Sequence, residues 1–372
     1  MDHRVETGRD APGDSQRMIW QTVRGHGRQV EMLRRSLGRG RLSHAYLFVG
    51  PAGIGKKLFA RTLAQCLFCE RTSAEELEAC GECPACKQMV AATHPDFYSV
   101  GCPPGKDVLP IQVFAGPPEH RGREGLCYDL SLRPLSATRK IAVIDDADRM
   151  NAESANALLK TLEEPPEYAL LILIAAGTDS LLPTILSRCQ QLRFGALSRD
   201  DVAKLLQVHQ WVDDPAEAEI VAGLSAGSLA TASQLLDPAL RRLRDRLFEA
   251  LANERFDSAT VTADMLAGLE ASGGDTQTQR QQAGWIIRFL TEFARQALRE
   301  LSGAASATAI EQARPFADRI RADDPDATQT VLDLLERFVL AEDQLQRRAP
   351  VPLCLEGLFD DIGRRLRAVG QP

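Results

Sequence analysis

The segment Gly50-Pro-Ala-Gly53-Ile-Gly55-Lys56-Lys57 has the residue types of a phosphate cradle. It follows a compact apolar run, Ala45-Tyr-Leu-Phe-Val49, and opens a stretch with helical spacing, the context a phosphate-binding loop needs. Glycines let backbone N–H groups curl around phosphate oxygens. Lys56 directs a positive charge toward the outer phosphates, and the helix N-terminus adds a favourable dipole. The closing position of the pattern ought to be Ser or Thr, whose hydroxyl grips Mg²⁺. Here it is Lys57, which has no lone pair for a metal at neutral pH and sets a second cation where magnesium belongs. Nucleotide binding can survive that change; metal-assisted hydrolysis should not.

A second motif, Ile141-Ala-Val-Ile-Asp145-Asp146-Ala-Asp148, reads as a buried strand ending in acids. In an active site of this kind the first acid orients the metal and a following Glu activates water. Asp145 stands in the first place. Asp146 stands in the second and is one methylene shorter, which withdraws the carboxylate from the alignment base catalysis requires.

Arg188 lies in Thr184-Ile-Leu-Ser187-Arg188-Cys189, between an apolar strand pattern at Leu170 and another at Gln191. Composition alone makes it a surface arginine in a salt bridge. Its place between two strands of a nucleotide-binding fold lets it reach the γ-phosphate bound by a neighbouring subunit. An arginine supplied in that way is worth about 10³–10⁵ in rate in the best-studied GTPases.

Cys69, Cys80, Cys83 and Cys86 form C-x10-C-x2-C-x2-C. Tight C-x2-C steps let thiolates converge on one ion, and four thiolates make a closed, structural zinc site with no place for water. Cys66 is one helical turn away, and Cys69 fits the spacing better. Cys102, Cys127, Cys189 and Cys354 read as isolated thiols. His94-Pro95-Asp96 reads as a turn into a strand, because no nucleophile or metal pattern accompanies it.

These groups need a scaffold. Apolar strand patterns at Ala45–Val49, Phe97–Val100, Ile141–Ile144, Leu170–Ala175 and Gln191 alternate with helical ones at Lys57–Phe68 and Ala152–Glu164. Leu58, Phe59, Leu63 and Leu67 can share one face of the first helix, and Asn151 is a plausible cap for the second. Strand–helix alternation with wholly apolar strands predicts a parallel sheet covered on both faces. After Phe194 the patterns become helical. Ser198–Gln210, Pro215–Leu224 and Ser228–Leu236 suggest a small lid over 196–237. Helices at Ala239–Ala252, Thr278–Leu301, Gln329–Arg347 and Cys354–Val369 fill a region 238–372, with a small-residue loop at Ser302–Thr308.

The chain has 372 residues, enough for two or three cores. Its 44 Lys and Arg against 51 Asp and Glu give a net charge of −7, which argues against a protein that grips DNA phosphates by itself. No stretch approaches about 20 apolar residues, so no membrane span is expected. Residues 1–17 are polar without a signal-peptide core and are expected to form a disordered tail, so the expected location is cytoplasmic.

Taken together, His44-Ala-Tyr-Leu-Phe, the phosphate loop, the four-cysteine insert, His94-Pro-Asp, Ile-Asp-Asp-Ala-Asp148, Asn156-Ala-Leu-Leu-Lys-Thr-Leu-Glu-Glu-Pro-Pro166 and Ser187-Arg-Cys189 resemble the bacterial DNA polymerase III clamp-loader family. The resemblance covers roughly residues 18–195. It implies an AAA+ P-loop domain with a zinc-binding insert over 69–90, a helical lid and an all-α collar. Lys57, Asp146 and Ala230, which occupies the slot of a sensing arginine in Ala226-Gly-Ser-Leu-Ala230, resemble the delta-prime branch, which keeps the arginine finger and has a degraded nucleotide site. Gly50, Gly53, Gly55, Lys56, Lys57, Asp145 and Asp146 would form that site. The implied partners are gamma/tau and delta subunits in a hetero-pentamer, and through them the sliding clamp and primed DNA. Such a chain belongs to a DNA-directed DNA polymerase by complex membership and hydrolyses no ATP itself. The competing readings are an ATP-hydrolysing gamma/tau-type motor or ring helicase loader, and a zinc-stabilised scaffold with no replication role. The segment 101–128 is longer and richer in Pro and Gly than the family pattern.

Overall fold

The computed structural model describes residues 19–20, 23–103, 106, 108–271, 276–304, 310–323 and 326–368. The tail expected over 1–17, residues 305–308 of the expected loop and Val369 lie outside them. The chain divides into two compact units, Met1–Asp201 and Val202–Pro372.

The first unit is built on five parallel strands: β1 (Ala45–Val49), β2 (Phe97–Val100), β3 (Lys140–Ile144), β4 (Ala169–Ala175) and β5 (Gln190–Arg193). Their order across the sheet is β2-β3-β4-β1-β5. This is the AAA+ arrangement that the motifs led us to expect, with β4 inserted between the strand ahead of the phosphate loop and the strand that carries the acids. Every residue of β4 is buried, as a strand covered on both faces must be. Alternate residues serve opposite faces. Tyr46, Phe48, Ile141, Val143, Ile172 and Leu192 join one core, and Ala45, Leu47, Ala142, Ile144, Leu171 and Leu173 join the other.

Among the described residues, seven α-helices clothe the sheet. α1 (Gly27–Gly38), α2 (Lys56–Phe68) and α3 (Pro84–Val90) feed the first core through Leu33, Phe59, Leu63 and Met89. α4 (Gln112–Ala115), α5 (Leu126–Ser131), α6 (Ala152–Glu163) and α7 (Pro183–Leu186) feed the second through Phe114, Leu130, Leu158, Leu162 and Ile185. Phe59 and Leu63 are fully buried, but Leu58 is 45% exposed. The expected four-residue face of α2 is thus three, because Leu58 is rotated about 100° from Phe59 on a helix of 3.6 residues per turn. The Asn151 cap forms as expected: its side-chain oxygen accepts from the Ser154 N–H at 2.9 Å.

The described elements of the second unit are all helices. α8 (Arg199–Val208) straddles the boundary, and α9 (Pro215–Leu224) and α10 (Leu229–Leu235) follow. Ser198, Asp214 and Ser228 cap these three through N–H groups of Asp201, Ala216 and Thr231. Then come α11 (Pro238–Ala252), α12 (Ser258–Ala271), α13 (Thr276–Leu301), α14 (Ala313–Asp323), α15 (Ala327–Gln346) and α16 (Val351–Ala368). α13 is the longest and packs against α11, α14 and α15. Phe293 stands at its centre, 5.3 Å from the Phe248 ring and 5.1 Å from that of Phe316.

Candidate functional site

The phosphate loop joins β1 to α2. Gly53 and Gly55 have φ of +74° and +94°, so the loop takes the left-handed backbone that glycine allows and other residues resist. Such a backbone is the kind that can turn successive N–H groups toward one anion, and the positive end of a 13-residue helix follows it.

Lys56 opens the helix and is only 6% exposed. Its amine donates to the carbonyls of Gly50 at 2.5 Å and Pro51 at 2.7 Å. Burial pushes its pKa down, while the charges of Asp145 and Asp148 pull it back up. The side chain is held in the loop by two neutral acceptors.

Lys57, the departure from the motif, points across to β3. Its Nζ lies 3.2 Å from Asp145 Oδ2. The register explains how they meet. Ile144 pairs with Leu173 of β4, and Leu173 pairs with Leu47 of β1, so Asp145 leaves β3 at the same end of the sheet from which the loop leaves β1. The ammonium and carboxylate are partly exposed, so the pair contributes only about 0–1 kcal/mol to stability. Its importance is positional: the carboxylate suited to hold a metal is already answered by a cation.

Asp146 does not join them. It sits in left-handed backbone at φ +55°. Its Oδ2 accepts from the Cys102 N–H at 3.3 Å, and Oδ1 lies 3.8 Å from Arg149 Nε. Asp148 turns toward β4, where Oδ2 accepts from the Ala176 N–H at 2.9 Å. Of the three acids, Asp145 is the one that pairs with Lys57.

Arg188 ends the turn between α7 and β5. Its guanidinium is 2.8 Å from Glu163 Oε1, and it also donates to the Thr184 carbonyl and Ser187 Oγ. The sequence placed Arg188 beside Ser187 but gave no sign of Glu163, which belongs to the Leu-Glu-Glu-Pro-Pro string at the end of α6.

The four cysteines converge. The sulfurs of Cys69, Cys80, Cys83 and Cys86 all lie within 4.8 Å of one another. The N–H groups of Cys80, Cys83 and Cys86 point at the sulfurs of Cys69, Cys80 and Cys83, at 3.3, 3.3 and 3.4 Å. Gly81 at φ +74° and Pro84 at the first position of α3 make the tight steps. Burial raises the Cys69 thiol, and donors from Thr72, Cys80 and Arg71 outweigh it, bringing the pKa down to about 6. Burial and the neighbouring Cys83 and Cys69 sulfurs push Cys86 well up. Four sulfurs this close repel as thiolates unless a cation joins them, so the donor set fits a soft, tetrahedral ion such as zinc. Cys66 is buried in the core instead, with its thiol raised by burial.

His94 and Asp96 are structural, as the turn reading expected. His94 stacks on Phe68 with ring centroids 4.0 Å apart. Asp96 is fully buried and accepts from the N–H groups of Leu135, Ser136 and Ala137 and from Ser136 Oγ. It pins a loop that displays Leu135, 79% exposed. Ala230 is an exposed residue of α10. No described helix is long and apolar enough to cross a membrane.

A sequence profile of the family described as "DNA polymerase III, delta subunit" matches residues 25–198. The DNA polymerase III subunit delta' of Pseudomonas aeruginosa is 39% identical over 219 residues, 58% of this chain and 62% of that protein. The subunit delta' of Yersinia pestis is 30% identical over 264 residues, 69% of this chain and 71% of that protein. The subunit tau of Bacillus subtilis is 30% identical over 225 residues, 59% of this chain and 38% of that protein. Matches to the delta-prime relatives thus span from 47% to 71% of their lengths. The loop, the acids, Arg188 and the cysteine cluster all fall within the profile match, and the chain belongs to the family of DNA polymerase III delta-prime subunits.

Proposed function

We propose that this chain is a non-hydrolysing AAA+ subunit of the clamp loader. It would assemble with gamma/tau and delta subunits into a five-membered ring in the cytoplasm, and that ring would place a sliding clamp on primed DNA. Residues 18–195 would form the nucleotide-binding-fold domain, 196–237 the lid and 238–372 the collar through which the subunits join. A structural zinc ion would be held by Cys69, Cys80, Cys83 and Cys86. Arg188 would complete the ATP site of the adjacent motor, exchanging Glu163 for a γ-phosphate.

One observation carries the reading: the Lys57 ammonium lies 3.2 Å from Asp145, where a hydrolysing relative needs a metal. Asp146, which stands in the place of the water-activating acid, is engaged by Cys102 and Arg149 instead. The residues therefore do not fit Mg²⁺-assisted hydrolysis.

Steady-state ATPase assays on the isolated chain are expected to read background. Robust turnover abolished by Lys56→Ala would decide for the motor subunit instead. Reconstitution with motor and delta subunits, with clamp loading as readout, tests assembly; a bare zinc scaffold would recover neither partner.

A further inference from the structure

The same pair of residues suggests more than a lost activity. In a complete phosphate loop the metal is held between a hydroxyl at the closing position and an acid at the end of the neighbouring strand, and it bridges the acid to the phosphates. Here the closing position carries its own cation, and that cation is already beside the acid. We propose that the loop binds the triphosphate chain of a nucleotide without any divalent metal, with Lys57 Nζ bridging Asp145 and the phosphate oxygens in the metal's place. The proposal rests on the reading of the loop as a non-hydrolysing site.

Three features support it. An ammonium has three N–H donors. Asp145 takes one, and two remain for phosphate oxygens. Lys56 donates only to the neutral carbonyls of Gly50 and Pro51, and a phosphate is the stronger acceptor for a charged donor. Beyond its two chain neighbours, nothing lies within 4 Å of where a Cβ on Gly55 would be, so the loop is crossed only by the Lys56 side chain, which would turn from the carbonyls to the phosphates. The arrangement holds an anion and does not activate it. Asp146 faces away, and an ammonium tethered to the chain offers a bridge but no metal-bound water.

The ligand class is a polyphosphate chain, from a nucleoside triphosphate or an inorganic one. Calorimetric titration of the full, zinc-loaded chain with metal-depleted ATP, in Mg²⁺-free buffer without chelator, tests it. A parallel titration with inorganic tripolyphosphate shows whether the base contributes. Binding in the absence of Mg²⁺ is expected to be at least as tight as in its presence, since free Mg²⁺ competes for the phosphates. Lys57→Ala is expected to weaken it by about tenfold or more, the scale of one charge-assisted contact. Lys57→Thr is expected to make what binding remains depend on Mg²⁺. No binding of either probe without Mg²⁺, or binding by the unaltered chain that requires Mg²⁺, overturns the proposal. Assembly with motor and delta subunits is scored on the same preparation. Silent titrations with assembly intact sink this inference alone, and failed assembly sinks the clamp-loader reading.

Discussion

The guanidinium of Arg188 rests on Glu163 of its own chain, 2.8 Å from Oε1. The two side chains are partly exposed, so the pair is worth about 0.2–1 kcal/mol. That is small beside the attraction of an arginine for a phosphate in a closed interface. Glu163 holds the guanidinium in one place without binding it tightly enough to keep it from a stronger acceptor.

Two substitutions separate a finger from a salt bridge. Arg188→Ala is expected to leave assembly intact and to slow hydrolysis at the adjacent motor site by about 10³-fold, the lower end for arginines acting in trans. Glu163→Ala is expected to leave that rate near the parent value. Equal effects of the two in single-turnover ATP hydrolysis by the reconstituted complex would return Arg188 to a structural role.

Elemental analysis of the purified chain should find about one zinc per polypeptide. Cys83→Ser removes a buried sulfur from the cluster. A loss of several kcal/mol is expected for a structural site. At roughly 2–4 °C per kcal/mol, the melting midpoint should fall by on the order of 10 °C. A metal-free preparation with an unchanged midpoint would remove the zinc assignment.

Asp96 gives a pH dependence whose sign follows from its partners. Burial raises its pKa, and the N–H groups of Leu135, Ser136 and Ala137 outweigh that, leaving it below the ordinary 3.8. A carboxyl depressed in the folded state contributes stability above its unfolded pKa and loses it as pH falls through the folded value. Asp96→Asn is expected to cost about 2–4 kcal/mol near neutrality, from lost charge-assisted hydrogen bonds. Urea unfolding should show a constant gap between the two proteins above about pH 5, shrinking below the ordinary aspartate pKa. A gap that widens on acidification would contradict the assignment.

Phe59 ties the phosphate-loop helix to the sheet. Its ring meets those of Phe48, Phe194 and Trp20 at 5.6, 5.0 and 5.0 Å. Phe59→Ala is expected to destabilise the first unit by about 3–5 kcal/mol. Phe59→Leu should cost less because it leaves a smaller cavity. Denaturant midpoints of the two variants provide the check, and equal values would show that the site relaxes freely.

The strands and the motifs were legible because they rest on local rules. β1 and β2 fall on the expected residues, and β3 to β5 begin one residue earlier. A wholly apolar run such as Leu170–Ala175 has few alternatives. The cysteine spacing named the four sulfurs that meet. Several helices were not foreseen: α1, α3, α4, α5, α7, α12 and α14. α3 and α5 have only seven and six residues, too short to display a 3.6-residue period. α1 is rich in arginine, and three buried residues, Val30, Leu33 and Leu37, secure it. The partners Glu163 for Arg188 and Cys102 for Asp146 were beyond reach for another reason. They lie 25 and 44 positions away from the residues they touch; the packing of α7 on α6 brings the first pair together, and the pairing of β2 with β3, Val100 opposite Ile144, brings the second.

Gly50 is governed by the sheet as well as by the loop. A Cβ on it would lie 2.2 Å from the Phe194 carbonyl oxygen, where β5 runs past the end of β1. Any other residue would force those two strands apart, whatever occupies the loop. A lineage could therefore abandon ATP hydrolysis and still be barred from changing the first glycine of the signature. What looks like a relic of catalysis would persist because the backbone has no room for an alternative, and the loss of function would be written only at positions such as 57, where side chains are free to drift.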